Sequence, residues 1–134
     1  MAVADLTKGP KEFVSGIDNV VIVNYFDGIR GGRTLDVADY PLDTIQAGHL
    51  IIKKSDGNFA PMPVAKTSDE YDKYDSLPGS ASYAGYLVAT ISKDKPFAAI
   101  MVRGTVNPKA APFDLSTVLE DVKGALPLID YQED

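Results

Sequence analysis

His49 is the only histidine in the 134 residues of this chain, and the chain contains no cysteine. A histidine that acts as a general base needs a partner that orients its ring, and no serine or aspartate stands beside His49 in the sequence. We therefore interpret His49 as a partly buried structural residue. The alternative is a ligand-binding or hydrolytic β-barrel protein in which His49 works with Asp36 or Asp56.

The acidic residues Asp69, Glu70, Asp72 and Asp75 offer oxygen ligands of the kind that calcium accepts. Their spacing is not that of a calcium-binding loop, and the central glycine is missing. Zinc would depend almost wholly on carboxylates, since cysteine is absent and histidine occurs once. The glycine-rich GIRGGRT lacks the lysine and the spacing of a phosphate-binding loop. The sequence thus predicts no catalytic residue, no cofactor and no metal.

The formal net charge of −6 argues against a protein that binds duplex nucleic acid, which needs clustered lysine and arginine. No stretch approaches the roughly 20 apolar residues of a membrane-spanning helix. The start of the chain, MAVADLTKGPKEF, shows no apolar core of signal-peptide length. We therefore expect neither nucleic acid nor membrane as a partner.

The chain divides into a flexible N-terminal arm, residues 1–16, and a single β-rich domain, residues 17–134. Gly9, Pro10 and Gly16 interrupt the arm, which has no hydrophobic periodicity. The apolar run at 19–26 predicts a buried strand, and Asp56-Gly57 predicts a hairpin turn.

The segment 65–82 is polar and predicts a long surface excursion, and the following YAGYLVATI, residues 83–91, predicts a strand. The next strand begins at Phe97, so these two strands are expected to form a hairpin. Side chains alternate along the second strand, and one of its faces is apolar throughout. Phe97, Ala99 and Met101 begin the other face, and Arg103 and Thr105 finish it, so Arg103 marks where a second layer stops or where a neighbouring subunit begins. Phe97, Met101 and Arg103 are therefore candidate subunit contacts.

A helix is expected in DLSTVLEDVKGALP, because its apolar residues recur at helical spacing. Asp114 is the predicted N-cap, and Gly124 and Pro127 limit the end of the helix. The final LIDY predicts a strand. The fold class is therefore mostly β, a small barrel-like or tulip-like domain with one short C-terminal helix before a final strand.

The order of these elements resembles the C-terminal half of the phage lambda-type head decoration proteins. The resemblance covers roughly residues 42–131, including IQAGHLIIKKSDGNFAPM, which is similar to a glycine-led hairpin of that family. Two further patterns of the family precede its helix, A-G-[IY]-L and A-x-[VI]-x-[VR]-x-G-x-[VF]-N. The matching residues here are Ala84, Gly85, Tyr86 and Leu87, then Ala98, Ile100, Val102, Gly104, Val106 and Asn107.

The resemblance implies a non-enzymatic virion protein of a phage or prophage, which forms homotrimers and clamps the major capsid protein on the capsid exterior. Before assembly such a protein resides in the cytoplasm of the bacterial host. The N-terminal arm would order on the shell by strand pairing, so its apolar residues are candidate capsid contacts. These candidates are Val3, Leu6, Phe13 and Val14. A head-fibre or tail component with the same fold is a related alternative.

Overall fold

A computed structural model of the chain describes residues 18–67 and 69–133, the side chains of residues 18 and 19 excepted. The elements in this part, in chain order, are α1 (Asp18–Val21), β1 (Ile22–Gly28), β2 (Arg33–Thr34), β3 (Thr44–Ile45), β4 (Leu50–Lys53), β5 (Phe59–Pro61), β6 (Val64–Lys66), β7 (Tyr71–Tyr74), β8 (Ser82–Leu87), β9 (Ile91–Ser92), β10 (Phe97–Ala98), β11 (Ile100–Val106), α2 (Leu119–Ala125) and β12 (Ile129–Tyr131).

Strand β11 is the centre of the main sheet, because three strands pair with it. On one side β1 runs antiparallel to it, with Tyr25 opposite Gly104. On the other side β8 pairs antiparallel with its first residues, and β12 pairs parallel with its last three. The sheet continues through β4 to β5, which gives the order β1-β11-β8-β4-β5 with β12 beside β11.

Three small two-stranded sheets complete the β structure, and they pair β10 with β2, β3 with β9, and β6 with β7. The prediction of a mostly β domain with a short helix before the final strand is confirmed. The strands of the described residues form open sheets, and no closed barrel is detected among them. The barrel-like form of the prediction is therefore not what the described strands build.

The core is formed mainly by the apolar side chains of β4, β8 and β11, and α2 adds Val122 to it. Leu50, Tyr86 and Met101 are among the fully buried side chains. The hydroxyl groups of Tyr86 and Tyr131 lie 2.8 Å apart, which ties β12 to β8 on the same side of β11. This hydrogen bond satisfies two partly buried polar groups that would otherwise be costly to bury.

The hairpin predicted at Asp56-Gly57 is confirmed, since β4 and β5 pair with Ile51 opposite Pro61. Gly57 has a φ of 88°, a conformation in which glycine avoids the clash that a Cβ would cause. The Asp56 carboxylate accepts a hydrogen bond from the backbone N–H of Asn58 at 2.9 Å. The turn is therefore stabilised by the residue types that predicted it.

The prediction of one buried strand at 19–26 is wrong. The chain first makes the helical turn α1, and in β1 the residues from Asn24 to Asp27 are all exposed. The cause is the position of β1 at the edge of the main sheet, where no further layer of the described chain covers it. An apolar run predicts burial, but among the described side chains of this run only Val21, at the end of α1, is fully buried.

The predicted C-terminal helix is shorter than expected, because α2 begins at Leu119 rather than after Asp114. Asp114 accepts hydrogen bonds from the backbone N–H and the hydroxyl of Ser116, both at 2.9 Å. The next residues form a turn, in which the N–H of Val118 donates to the carbonyl oxygen of Leu115. Asp114 thus caps this turn, and serine and aspartate often favour such local bonding over a helix.

Two other predicted segments are also divided differently. Part of the excursion 65–82 forms the hairpin of β6 and β7, and Tyr74 from it is buried with its hydroxyl accepting the N–H of Leu50 at 3.0 Å. The strand predicted at 83–91 breaks after Leu87, and β9 pairs instead with β3. The expected antiparallel pairing of the flanking strands is present, with Ile100 opposite Leu87.

Candidate interaction surface

His49 lies in the interior, directly before β4, and its side chain is fully buried rather than partly buried. Its ring makes edge contacts with three aromatic rings, with centroid distances of 5.4 Å to Tyr40, 5.1 Å to Tyr74 and 5.3 Å to Phe113. We call these four residues the aromatic cluster. Edge-to-face pairs of this kind are favoured by the ring quadrupoles and fix the orientation of His49.

The hydrogen bonds of His49 suit a neutral structural side chain. Its Nε2 lies 2.9 Å from the carbonyl oxygen of Met62, so Nε2 carries the proton and donates. Its Nδ1 is buried without a hydrogen-bond partner among the described residues. Burial lowers the pKa of His49 to about 4, with the bond to Met62 acting in the opposite direction. The imidazole is therefore neutral near pH 7.

The two acids considered as partners of His49 are engaged elsewhere. Asp36 forms an ion pair with Lys54, which holds the pKa of the Asp36 carboxyl below its usual value. Asp56 is part of the hairpin turn. No hydrogen bond that the described residues make to His49 involves a carboxylate, so the orienting partner of a general base is not found here.

The acidic residues considered for calcium do not converge in the described part of the chain. No group of three or more acidic or histidine side chains there is placed to hold a metal ion. Asp72 instead accepts the backbone N–H of Thr67 at 3.1 Å and also bonds its hydroxyl. Asp75 accepts the N–H of Ser76 at 2.7 Å. These carboxylates stabilise the ends of the β6–β7 hairpin.

Of the three predicted subunit contacts, the structure exposes two and buries one. The side chain of Phe97 is 53% exposed, and Arg103 is also exposed. Met101 is fully buried, which removes it from the candidates. Its side chain folds over Gly104, where an added Cβ would lie 2.5 Å from the methionine sulfur. The missing side chain at Gly104 thus lets Met101 turn inward.

Two further aromatic side chains are exposed on β1 itself. Tyr25 is 52% exposed and Phe26 is 66% exposed, on a strand that pairs through one side only among the described strands. We call the surface of Tyr25, Phe26, Arg33, Phe97 and Arg103 the β1 edge. Large aromatic side chains exposed on an unpaired sheet edge, as Tyr25 and Phe26 are, are typical of a binding surface.

Short contacts order the segments that carry Phe97, Arg33 and Arg103. The ring of Phe97 packs over Gly32, where an added Cβ would come within 3.1 Å of the ring. Arg33 folds back, and its Nη1 donates to the carbonyl oxygens of Arg30 at 3.1 Å and Gly32 at 2.6 Å. Arg103 stands opposite Asp27 in the pairing of β1 with β11. Phe97 and Arg33 are therefore held by the turn between β1 and β2, and Arg33 also lies 5.7 Å from the centroid of the Phe59 ring.

Two of the three arginines in the sequence, Arg33 and Arg103, belong to the β1 edge. The third, Arg30, lies between β1 and β2, and all three are exposed. Their charge contrasts with a chain whose net charge is −6. Arginine and aromatic residues are the types enriched at protein–protein contacts, because both bury a large area with few rotatable bonds.

Tyr25 and Phe26 were missed by the sequence analysis, which assigned the whole run to the interior. The flanking Asn24 and Asp27 carry the signal that could have found them. Polar residues on both sides of an aromatic pair place one polar side chain on each face of a strand, which indicates that neither face is fully buried. The four capsid-contact candidates, Val3, Leu6, Phe13 and Val14, lie outside the described residues, as does the arm at 1–16.

The chain matches no protein-family model, no curated protein and no solved structure. In the part of the chain that the structure describes, no helix has the length and apolar character needed to cross a membrane. The residues and the geometry of the β1 edge are therefore the basis for a proposed function.

Proposed function

We propose that this chain is a non-catalytic structural protein that binds the exterior of a phage or prophage capsid as a homotrimer and stabilises it. The observation that supports this proposal is the β1 edge, where Tyr25, Phe26 and Phe97 are each more than half exposed. The resemblance of residues 42–131 to lambda-type decoration proteins supplies the kind of assembly. The partners are other copies of the chain and the major capsid protein.

Association explains the β1 edge better than folding does. Exposed aromatic side chains contribute little to the stability of the single chain, and they favour aggregation unless a partner covers them. Burying apolar surface contributes roughly 25 cal/mol per Å². Three aromatic residues that pack against a partner can therefore supply a large part of the affinity of a subunit contact.

A second copy of this chain offers the complementary charge. The C-terminal segment carries the exposed acidic residues Glu120, Asp121, Asp130 and Glu133. Contact between this acidic surface of one subunit and the arginines of the next would be of the head-to-tail type, which closes into a ring when the rotation allows. Opposite charges on two surfaces steer association and fix orientation more than they add affinity.

The test of self-association is sedimentation velocity of the full chain over a range of concentrations. We expect a trimer, and we expect Phe26→Ser together with Phe97→Ser to weaken association at least tenfold without lowering the melting temperature. Val20→Ser is the matched control, because Val20 is 51% exposed but belongs neither to the β1 edge nor to the acidic C-terminal segment. A parent chain that stays monomeric with and without capsids, or a control as damaging as the double variant, would contradict the proposal.

The attachment to capsids is tested by deleting residues 2–16. Ordering a segment costs on the order of 1 to 2 kcal/mol per residue for the backbone, so three arms on one trimer would bind together where a single arm does not. We expect the truncated chain to keep its melting temperature and to occupy fewer sites on matching capsids. Full occupancy by the truncated chain would rule out the arm as the attachment element.

A head-fibre or tail component with this fold is separated from a decoration protein by where the chain binds. Immuno-electron microscopy of virions would show a label over the whole head for a decoration protein. A label confined to a tail or to fibres would favour the alternative. The hydrolytic alternative receives no support from His49, whose ring is fully buried among aromatic side chains.

A further inference from the structure

A cavity of about 320 Å³ lies between the loop at 36–41, strands β5 and β6, and the loop that follows β7. It is on a different part of the molecule from the β1 edge and uses none of its residues. Its apolar lining includes Ile52, Ala60 and Val64, which are buried. Its volume falls in the range of small-molecule and side-chain sites, which are about 300 to 1,000 Å³.

Tyr40 lines this cavity and carries a polar group that the fold leaves unused. Its side chain is only 5% exposed, and its hydroxyl makes no hydrogen bond in the described part of the chain. That hydroxyl is not sealed in the interior, because His49 Nδ1 is the one fully enclosed side-chain polar atom without a partner among the described residues. The hydroxyl is therefore accessible from an open space, and the open space that Tyr40 lines is this cavity. An unpaired hydroxyl that faces such a space is free to bond a ligand or water.

The remaining polar groups of the cavity give it a negative charge. Lys54 is the one lysine in the lining of the cavity, and its ion pair with Asp36 neutralises its positive charge. Asp39 and Asp75 also line the cavity, and both are exposed without an ion pair to the described lysines and arginines. Another lysine, Lys93, donates to the carbonyl oxygen of Tyr40 at 2.5 Å and does not line the cavity. The three carboxylates of the lining thus exceed its one ammonium group by two.

This arrangement suits an organic cation rather than a metal ion. The acidic side chains of the described residues do not gather three to a point, as a metal ion would need. The cavity instead offers an apolar wall for a hydrocarbon stem and separated oxygen atoms for a head with several N–H donors. Ammonium and guanidinium groups on short aliphatic chains have this combination.

We propose that the cavity lined by Tyr40, Asp39 and Asp75 binds an ammonium or guanidinium group on an apolar stem. The stem lies against Ile52, Ala60 and Val64, the Tyr40 hydroxyl accepts one N–H of the head, and the two carboxylates balance its charge. The head comes from a free amine or from a lysine or arginine side chain of another protein. This site does not depend on the function proposed above, and either can fail alone.

The test is a nuclear magnetic resonance titration of the ¹⁵N-labelled full chain. The probes are n-butylammonium and the capped peptide acetyl-Ala-Arg-Ala-amide, and the neutral controls are n-butanol and acetyl-Ala-Gln-Ala-amide. We expect saturable shifts of the backbone amides of Asp36, Tyr40 and Asp75 with the cationic probes only. Shifts that do not saturate, or that n-butanol reproduces, would overturn the proposal.

Two variants test the residues that carry the argument. Tyr40→Phe removes only the hydroxyl, and we expect binding of the cationic probes to weaken roughly fivefold. Asp39→Asn together with Asp75→Asn removes both uncompensated charges from exposed positions, and we expect a loss of about tenfold. Glu120→Gln together with Asp130→Asn is the matched control, since it makes the same change of charge outside the cavity.

The comparison of the variants decides the outcome. A control variant that binds as weakly as the cavity variant would show that only net charge matters, and the proposed site would be wrong. Melting curves of every variant establish that the loss does not come from unfolding. Equal affinity for both cationic probes identifies a free amine as a sufficient ligand, and at least tenfold tighter binding of the peptide identifies a protein side chain as the source.

Discussion

The aromatic cluster around His49 and the β1 edge use the same kinds of side chain in opposite surroundings. In the cluster, Tyr74 and Phe113 are almost fully buried, and their rings contact the imidazole edge to face. On the β1 edge, Tyr25 and Phe26 are more than half exposed. The residue types are alike, so the difference comes from the neighbours that the fold supplies.

This difference separates what holds the chain together from what is left for a partner. The aromatic cluster joins segments far apart in sequence, because its members come from positions 40, 49, 74 and 113. Its contacts form only when the whole domain is folded. No second layer of the described chain packs on the β1 edge. Its aromatic side chains therefore contribute little to folding and remain available for association.

The largest expected effect comes from removing one ring from each region. Phe113→Ala leaves a hole beside His49 and Tyr74, and we expect the free energy of unfolding to fall by about 3 to 5 kcal/mol. Phe26→Ala, the matched control on the β1 edge, should change it by about 0.5 kcal/mol or less. Urea unfolding of both variants measures the two values. A similar loss in both would show that the β1 edge is part of the folding core.

The second largest effect concerns the pH dependence of stability, to which the aromatic cluster should contribute and the β1 edge should not. His49 has a pKa of about 4 in the folded chain, below its ordinary value of 6.5, so the unfolded chain takes up this proton first as the pH falls. Stability should therefore decline from pH 6.5 to pH 4, by about 3 kcal/mol in total, and His49 should contribute no further decline below that range. The rings of Tyr40 and Tyr74 that face His49 remain protonated throughout, because burial raises the pKa of both.

The variant His49→Gln checks the source of this slope. Thermal unfolding between pH 7 and pH 4 should show a flatter dependence for His49→Gln than for the parent, although glutamine loses ring contacts and lowers stability at pH 7. Phe26→Ala should keep the slope of the parent. A parent-like slope in His49→Gln would assign the acid sensitivity to other groups. The Asp36 carboxyl contributes only at lower pH, because its folded pKa lies below 3.8.

A smaller effect is expected at the turn that supports Phe97. Gly32 has a φ of 68°, and an added Cβ would lie 2.7 Å from the carbonyl oxygen of Ala98. Gly31 has a φ of 77° with open space around it. Gly31→Ala should therefore cost about 1 kcal/mol from backbone strain alone, and Gly32→Ala about 2 kcal/mol or more. Equal losses in chemical unfolding would mean that the close packing at Gly32 does not constrain Phe97.

The smallest expected effect concerns the ion pair of Asp36 and Lys54, which borders both the solvent and the proposed cavity. Both side chains are about 30% exposed, at 29% and 31%. Water screens such a pair, so Lys54→Met should lower stability by about 1 kcal/mol or less. The same variant should strengthen binding of n-butylammonium in the cavity, because it removes a positive charge. A stability loss as large as that of Phe113→Ala would contradict this ranking.

The elements that the sequence predicted well are those whose cause is local. The Asp56-Gly57 turn depends on a positive φ and on a carboxylate that bonds its own backbone two residues on, and both act within the turn. Alternation along the strand predicted from Phe97 onward placed Phe97 and Arg103 on the face away from the core, and both are exposed. The mostly β class and the final strand followed from residue patterns of this kind.

The errors arose where a distant segment decided the outcome. Met101 turned inward because Gly104 leaves room for its side chain beneath β1. Tyr74, placed in a surface excursion by its polar neighbours, became core because it reaches His49 and the N–H of Leu50. Asp114 capped a turn with Ser116 and delayed the helix to Leu119. Only the last of these depends on neighbours in the sequence.

The sequence by itself determined the strand-rich class, the turn at Asp56-Gly57, the charge of the chain and the lack of any cysteine chemistry. Only the tertiary structure decided that His49 is enclosed by three rings, that Tyr40 lines a cavity, and that Tyr25 and Phe26 face outward. The physical reason is that burial depends on which segments pack together. Backbone conformation depends mostly on the residue and its neighbours, whereas the cover over a side chain comes from segments far along the chain.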